Sequence, residues 1–217
     1  MYLIDETYFV MDLNVPNKVQ SLDIPVDEKP LEFYIDKYAR QLLQNALGNV
    51  LFDELDDYVD GVELKEDTPE KWSDLVNGKS YTYNDKDYKW KGLIFTEGAF
   101  KGSLLANYSF YHWHINKISR MSGLGEVKGN AVNSVNVNST RKSVKVWNDY
   151  LEMYQGFYEN NTYTYSEVKG VPFHDYYNPN INDYVSLITY LKHNEETYPD
   201  ARLKLETDGY KNTFGLW

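Results

Sequence analysis

The chain has 217 residues and a formal net charge of −11, and this negative balance disfavours nucleic acid as a ligand because phosphate binding depends on clustered Lys and Arg. It contains no cysteine, which excludes a disulfide framework and a thiolate metal site. No uncharged apolar run is long enough to span a membrane, and the acidic N-terminal residues predict no ordinary secretory signal.

The first part of the chain is predicted to form an arm followed by a helix. Residues 1–26 alternate apolar and polar side chains and contain Pro16 and Pro25, which is typical of an extended arm or an edge strand. Asp27 can then cap a helix that Gly48 ends. The apolar stripe of this helix recurs at helical steps: Leu31, Ile35, Tyr38, Leu42 and Ala46.

Three shorter elements come next. Asn49 can cap a helix that Gly61 closes, and Pro69 occupies the first position of another helix, which Gly78 stops. Residues 81–90 place Tyr and Trp on both sides of an Asn-Asp-Lys-Asp turn. This pattern predicts a small β-hairpin that leads into the next element.

Residues 92–122 contain the strongest helix signal in the sequence. Apolar residues recur there at steps of three and four: Phe100, Leu104, Tyr108, Tyr111, Ile115 and Ile118. A second set lies on roughly the opposite side: Ala106, Phe110 and Trp113. About thirty residues at 1.5 Å each make a rod of roughly 45 Å, so we expect part of its cover to come from another chain.

A loop and a second strong helix follow. Gly123, Gly125 and Gly129, within a stretch rich in Asn, Ser and Val, predict a long, weakly structured loop of a kind that is commonly functional or disordered. Asn138 or Ser139 can cap the helix, which is the natural antiparallel partner of the preceding long helix. Its apolar stripe is Val144, Trp147, Leu151, Tyr154 and Tyr158.

The remainder is irregular in pattern, except for a last helix predicted at residues 184–191 and a tail at residues 211–217 without capping or periodic signals. We therefore predict a mainly α fold: a helical bundle around a long antiparallel helix pair, with a small β-hairpin and extended N- and C-terminal arms. The predicted divisions are an N-terminal arm at 1–26, a helical core at 27–160, and a C-terminal extension at 161–217 with one helix and a docking tail.

The residues that could carry chemistry favour no enzyme. His112 and His114 are two positions apart, which directs their rings about 200° apart on a helix, whereas helical zinc pairs are four apart. A calcium loop at residues 56–67 is disfavoured because Tyr58 replaces a ligand and the last position is Asp67. The sequence shows no nucleophile-elbow serine, no P-loop lysine and no spaced pair of carboxylates. We expect no catalytic residue, no metal and no cofactor.

Several short motifs follow one another along residues 28–158: Leu47-Gly48 with Leu51 and Leu55, Leu75-x-Asn77-Gly78-x-x-Tyr81, Trp90-x-Gly92-Leu93, Leu105-Ala106-x-Tyr108-x-x-Tyr111, Gly123-x-Gly125 and Trp147-Asn148. In this order they resemble the head-to-tail connector, or adaptor, proteins of tailed bacteriophages, and most closely those of phages of gut Bacteroidetes. Each motif alone is weak, and their order carries the resemblance. The N-terminal arm and the chain after Asn160 depart from the shorter members of that family.

The resemblance implies a structural virion protein. Family members are small helical bundles that assemble, typically as dodecamers, into a ring under the portal, with DNA passing through the middle without specific binding. The implied partners are further copies of the chain, the portal protein and the next tail or ring protein, with no membrane. The implied place is the neck of the virion, after synthesis in the bacterial host cytoplasm. Another minor capsid or tail-completion protein is the alternative, and a soluble enzyme is less expected because it would show a compact pocket with converging polar groups.

Three sets of residues are expected to make contacts in such an assembly. The predicted subunit interface is the aromatic part of the long helix, which needs cover on two sides: Tyr108, Phe110, Tyr111 and Trp113. The predicted loop contact, with a neighbouring subunit or the next ring, contains three glycines: Gly123, Gly125 and Gly129. The predicted portal-docking residues are apolar residues of the tail: Phe214, Leu216 and Trp217. The alternative for the tail is that it folds back over its own domain.

Overall fold

A computed structural model of the chain describes residues 2–15, 31–122, 125–128, 140–156, 184–209 and 211. Within them the architecture is mainly α, with these helices: α1 Leu31–Leu47, α2 Asn49–Asp56, α3 Glu70–Asn77, α4 Leu104–Ile118, α5 Thr140–Tyr154 and α6 Leu187–His193. Short strands pair as antiparallel hairpins: β1 Val59–Asp60 with β2 Glu63–Leu64, β3 Lys79–Tyr83 with β4 Lys86–Trp90, β5 Ile94–Glu97 with β6 Phe100–Ser103, and β7 Ser119–Ser122 with β8 Gly125–Lys128.

The helix α4 lies at the centre of the molecule, between α1 and α5. The Tyr108 ring meets Tyr38 of α1 at a centroid distance of 6.1 Å and Tyr150 of α5 at 4.8 Å. Tyr111 meets Trp147 of α5 at 4.6 Å. Two helices of the same chain therefore pack against α4. Ala106 and Phe110 on its other side are fully buried as well, which explains why this segment is apolar on more than one face.

The predicted thirty-residue rod is wrong, because α4 has only 15 residues. Ser103 ends the preceding strand and caps the helix. Its hydroxyl oxygen accepts hydrogen bonds from the amides of Leu105 at 3.0 Å and Ala106 at 3.4 Å. The same hydroxyl donates to the Leu93 carbonyl oxygen at 2.8 Å. Upstream, Gly98 takes a φ of +60° at the turn between β5 and β6. The apolar pattern of residues 92–103 thus belongs to a hairpin, with a serine cap at its junction with the helix.

Two other predicted elements have the expected position. The helix α1 ends at Leu47 because Gly48 takes a φ of +79°, which favours glycine at a helix end. The hairpin of β3 and β4 pairs Tyr81 with Tyr88, and the positive φ angles of Asn84 and Asp85 are those of a tight hairpin turn. Both predictions are confirmed.

The helix predicted from Asn49 to Gly61 is shorter than expected. It ends at Asp56, and Val59 lies in the two-residue strand β1. Gly61 forms the turn of this hairpin with a φ of +64°. An Asp-Gly pair after a β-branched residue favours a tight hairpin over another helical turn.

The N-terminal segment is not an extended arm over the residues that the structure describes. It forms 3-10 turns at Glu6–Tyr8 and Met11–Leu13, and it contributes buried side chains to the core: Tyr2, Leu3, Ile4, Phe9, Leu13 and Val15. The Leu3 amide also donates to the Gly61 carbonyl oxygen at 2.9 Å. The side chains that are buried follow neither the alternation on which the predicted arm was based nor the helical period, so a packed irregular segment was not predictable from periodicity. Residues 16–26 of the predicted arm lie outside the described residues.

The end of α3 and the end of β4 approach each other through two glycines. Gly78 and Gly92 have φ angles of +93° and +97°. A Cβ on Gly78 would lie 2.6 Å from the carbonyl oxygens of Trp90 and Lys91, and a Cβ on Gly92 would lie 2.6 Å from the carbonyl oxygen of Val76. Only a residue without a side chain fits either position.

We predict that Gly78→Ala and Gly92→Ala each lower the free energy of unfolding by about 2 to 5 kcal/mol, the sum of backbone strain and overpacking. The matched control is Gly61→Ala, because Gly61 also has a positive φ but a Cβ there would meet nothing within 4 Å. That change should cost only about 1 to 2 kcal/mol. Urea denaturation of the three variants measures the difference, and equal losses at all three positions would contradict this account.

Candidate functional site

Within the part of the chain that the structure describes, several polar contacts between distant residues form a seam along α5. We name residues 203–211, which are described apart from residue 210, the C-terminal strap. The strap begins at the end of α1, where the amides of Leu203 and Lys204 donate to the carbonyl oxygens of Ala46 at 2.9 Å and Asn45 at 3.1 Å. These carbonyls belong to the last turn of a helix and have no partner within it. The strap therefore caps α1 before it reaches α5.

Side chains of α5 bond to the backbone of the strap. The Tyr154 hydroxyl donates to the Lys204 carbonyl oxygen at 2.6 Å, and the Trp147 indole N–H donates to the Gly209 carbonyl oxygen at 3.1 Å. As the strap advances from residue 204 to 209, its contacts move back from residue 154 to 147. The strap thus runs in the opposite direction to α5.

The end of the strap is held by a pair of amide bonds. The Asn148 side-chain amide donates to the Lys211 carbonyl oxygen, and the Lys211 backbone N–H donates to the Asn148 side-chain oxygen, both at 2.8 Å. One asparagine side chain therefore satisfies both the donor and the acceptor of a strap residue. An extended segment is recognised in this way through its backbone, as in strand addition.

Two side chains of the strap also have defined partners. The Tyr150 hydroxyl donates to a Glu206 carboxylate oxygen at 2.8 Å, and the Glu206 amide donates to the side-chain oxygen of Gln155 at 2.8 Å. Burial, with the Glu206 charge close by, raises the pKa of Tyr150 and of Tyr154 well above the ordinary value for tyrosine. Both phenols therefore remain protonated donors at neutral pH.

Lys211 is inserted between the rings of α4 and α5. Its Nζ donates to the Tyr111 hydroxyl at 2.7 Å and lies 4.7 Å from the Trp147 ring centroid. Only 10% of the Lys211 side chain is exposed, with Asp208 at 3.6 Å. Cation–π contact and a charge-assisted hydrogen bond stabilise a buried ammonium in this position.

A histidine lies next to this lysine. The His112 ring stacks on Tyr38 at a centroid distance of 4.0 Å and an interplanar angle of 1°, and it meets Tyr108 edge to face at 4.5 Å. Burial, together with the charges of Lys37 and Lys211, lowers the pKa of His112 to about 4. At neutral pH the side chain is an uncharged ring of an aromatic cluster.

The two histidines of α4 lie against different rings. His112 stacks on Tyr38, whereas His114 stacks on Phe110 at 5.4 Å. Their divergence follows from the two-residue spacing on a helix. Across the part of the chain that the structure describes, no three His, Cys, Asp or Glu side chains are grouped so as to hold a metal ion.

The residues predicted as a subunit interface are largely covered by the chain itself. Phe110 is fully buried, and Tyr108 and Tyr111 are 4% and 8% exposed. These three therefore offer almost no surface to a neighbour, which corrects that part of the prediction. Trp113 is only partly buried, and Ile115, one turn from Tyr111, is 41% exposed.

The structure describes only some of the other predicted site residues. Gly125 starts strand β8, so the loop predicted at residues 123–138 contains a strand. Gly123 and Gly129 lie outside the described residues, as do the three predicted docking residues: Phe214, Leu216 and Trp217. Asp56 of the rejected calcium loop pairs with Arg40 at 2.7 Å.

Sequence reasoning did not find the strap. Its contacts join residues 50 to 63 positions apart, and the strap has no periodic pattern of its own. A signal was present on α5, where Trp147, Tyr150 and Tyr154 share a face and carry polar ends that require partners when buried. The pattern indicates that partners exist, but it does not say which segment supplies them.

Comparison with known proteins gives no relative: no family model matches the chain, and neither a curated protein nor a solved structure matches it. Among the described residues, none of the helices combines the length and the apolar character needed to cross a bilayer.

We predict that His112 makes the protein less stable in mild acid. The unfolded histidine binds a proton below its ordinary pKa of 6.5, whereas the folded one does so only near 4. The stability it contributes is therefore complete above pH 6.5 and is lost as the pH falls towards 4, by up to about 3 kcal/mol. His112→Phe keeps a ring for stacking and cannot titrate.

The measurement is the free energy of unfolding of both proteins, from urea titrations at about pH 7 and pH 4.5. The wild-type protein should lose about 2 to 3 kcal/mol more than His112→Phe between these values. Between pH 7 and 8.5 the two should change in parallel. Parallel behaviour over the acidic range as well would contradict a buried, neutral His112.

Proposed function

We propose that this chain is the subunit of a head-to-tail connector ring in a tailed bacteriophage, placed in the virion neck between the portal and the tail. The ordered motifs described above support the family, and several of them fall at structurally required places. Gly78 and Gly92, in two different motifs, form the close approach between α3 and β4, and Tyr108 and Tyr111 form the contacts of the central helix. The role is structural, without catalysis or a cofactor.

The observation that carries the proposal is the central, doubly covered helix with a partly open end. Residues 103–111 are buried, with the exception of Asn107. Gly102, just before them, is half-buried, whereas Ile115 and Asn116 near the other end of α4 are exposed. Trp113 is partly buried beside them. A subunit that forms a ring needs different surfaces on its two sides, since contacts in a ring are heterologous. The open end of α4 is our proposed surface for one of them.

The antiparallel pair expected in the connector core is proposed to be α4 with α5. Tyr108 contacts Tyr150, and Tyr111, one turn further along α4, contacts Trp147, one turn earlier on α5. Contacts in this order support an antiparallel arrangement. At 15 residues each, these helices make a short pair of about 22 Å.

The charge of the chain supports a channel through which DNA slides. The net charge is −11, and α2 with its following hairpin exposes Asp53, Asp57 and Asp60. Repulsion between these carboxylates and DNA phosphates would keep the duplex from adhering to the wall. We propose that this acidic surface faces the channel and that copies of the chain, typically a dodecamer, surround it.

The first test concerns ring formation. We predict that Ile115→Glu leaves a folded subunit that fails to assemble, because a charge would be placed in a desolvated contact. Trp113→Glu should act in the same way, although its partly buried ring also makes it less stable. The matched control is Val50→Glu on α2, since Val50 is 68% exposed and lies outside the proposed contact.

Mass measurement in solution with purified portal rings present reports assembly, and circular dichroism reports folding. If Ile115→Glu assembles as the wild-type chain does, the open end of α4 is not an interface.

The second test concerns the tail. We propose that Phe214, Leu216 and Trp217 dock on the portal, and the seam at Lys211 gives the tail a fixed starting point. Deletion of residues 212–217 should leave the thermal stability unchanged, because it spares the seam, and should weaken portal binding by about 2 kcal/mol per anchor. Deletion of residues 205–217 is the comparison, since it also removes the seam. A large loss of stability with unchanged portal binding in the shorter deletion would favour a tail that folds back.

A further inference from the structure

The His112 ring lies where α1, α4 and the end of the C-terminal strap meet. It stacks on Tyr38 at 4.0 Å and meets the rings of Tyr108 and Tyr111 edge to face at 4.5 and 5.5 Å. Its Nε2 atom is buried and has no hydrogen-bond partner in the part of the chain that the structure describes. Protonation of the ring there would bury an N–H group without an acceptor.

Two ammonium groups lie close to this ring. The Nζ atom of Lys211 bonds to the Tyr111 hydroxyl at 2.7 Å, and the Tyr111 ring in turn meets His112. The Nζ atom of Lys37 lies 4.8 Å from the centroid of the Tyr38 ring, on which His112 stacks. Both positive charges act on His112. An imidazolium would therefore be repelled by α1 and by the strap.

The carboxylates of the strap have other partners. Glu206 accepts from the Tyr150 hydroxyl at 2.8 Å, and Asp208 lies 3.6 Å from the Lys211 ammonium. Their described contacts are thus with Tyr150 and Lys211 rather than with the imidazole. The charged and titratable groups of the elements packed around His112 are Lys37 and Tyr38 of α1, Tyr108 and Tyr111 of α4, Tyr150 of α5, and Glu206, Asp208 and Lys211 of the strap.

The strap is the superficial part of the cover around His112. Every described residue from 201 to 209, and residue 211, is at least partly exposed, whereas Trp147 and Tyr150 of α5 are buried. Segments with few buried apolar contacts open at lower free energy than the core. Movement of the strap would admit water to the imidazolium and would separate it from Lys211, so the strap should open before the helices do.

We propose that His112 and Lys211 form a pH switch: Lys211 holds the end of the strap on α4 and α5 while His112 is neutral, and protonation of His112 releases residues 205–211. The root of the strap stays in place, because the amides of Leu203 and Lys204 are bonded to the last carbonyls of α1. Release frees the point from which residues 212–217 begin. The switch is a property of the single chain and does not depend on the proposed ring.

The direction of the effect follows from the pKa of His112. Burial first, and then the charges of Lys37 and Lys211, lower that pKa to about 4 from the ordinary 6.5, and it returns towards the ordinary value when the strap leaves. Docking is therefore fully favoured above pH 6.5 and is weakened as the pH falls towards 4. If hydration of the ring is complete, the equilibrium constant for opening rises by up to about fiftyfold between pH 7 and 4.5.

Hydrogen exchange read by mass spectrometry measures this opening, because the amides of Glu206 and Lys211 donate to side chains of α5. Full-length wild-type protein and His112→Phe are compared at pH 7 and 4.5, with each rate divided by the intrinsic exchange rate at that pH. Protection of residues 205–211 should fall by about ten- to fiftyfold in the wild type. It should fall by less than about threefold in His112→Phe, where only the carboxylates of Glu206 and Asp208 titrate near the strap.

Two outcomes of this experiment would overturn the switch. One is an equal acid response of the strap in the wild type and in His112→Phe. The other is equal protection of the strap and of α4 at pH 4.5, since release would then occur only through global unfolding; we expect the strap to exchange at least about tenfold faster. The matched control is His114→Phe, because His114 stacks on Phe110 instead, and its strap should respond to acid as the wild type does.

A second measurement tests the coupling without changing the histidine. Because coupling between two sites is reciprocal, Lys211→Met should raise the pKa of His112 above its value of about 4 in an NMR titration of the ring protons. The matched control is Lys145→Met on α5, since that ammonium pairs with Asp12 and Asp149, and it should leave the pKa of His112 unchanged. The same pKa in wild type and in Lys211→Met would overturn the switch.

Discussion

The burial of α4 on two sides is the constraint on which the rest of the structure depends. Tyr108 can be buried only if both Tyr38 and Tyr150 are in place. Both α1 and α5 must therefore pack against α4 before water is excluded from the core. Phe110 and Ser109 are fully buried as well. Because a helix that is apolar all round is unstable in water, neither neighbour is optional.

This constraint fixes the position of the C-terminal strap. With one side of α5 against α4, the polar ends of Trp147, Tyr150 and Tyr154 emerge at the edge of the contact, where each needs a hydrogen-bond partner. The strap supplies these partners and caps α1 at its root. One segment thus connects the end of α1 with α5, the two helices that pack against α4.

The sequence predicted elements whose signals are local. The stripe of α1 and its end at Gly48, and the tight turn of β3 and β4, depend on neighbours a few residues apart. It did not predict the start of α4, because Phe100 lies four residues before Leu104 and so continues the helical spacing by chance. The role of Ser103 as a cap could not be recognised from the residue type alone. The packed residues 2–15 and the strap were missed since non-local contacts alone determine them. Of the predicted interface residues, burial of Phe110 could not be foreseen without knowing that the chain covers α4 by itself.

The cover of α4 by its own chain bears on the assembly proposed above. A central helix shared between chains would make the free chain unstable, whereas here Tyr108, Phe110 and Tyr111 are buried within one chain. Among the side chains described near the end of α4, Trp113 is partly buried and Ile115 is exposed. Such a small apolar surface gives weak association by itself, because a stable interface usually buries about 800 Å² on each partner. In the ring proposed above, such a weak contact would form only where the portal holds copies of the chain side by side, because this raises their effective concentration.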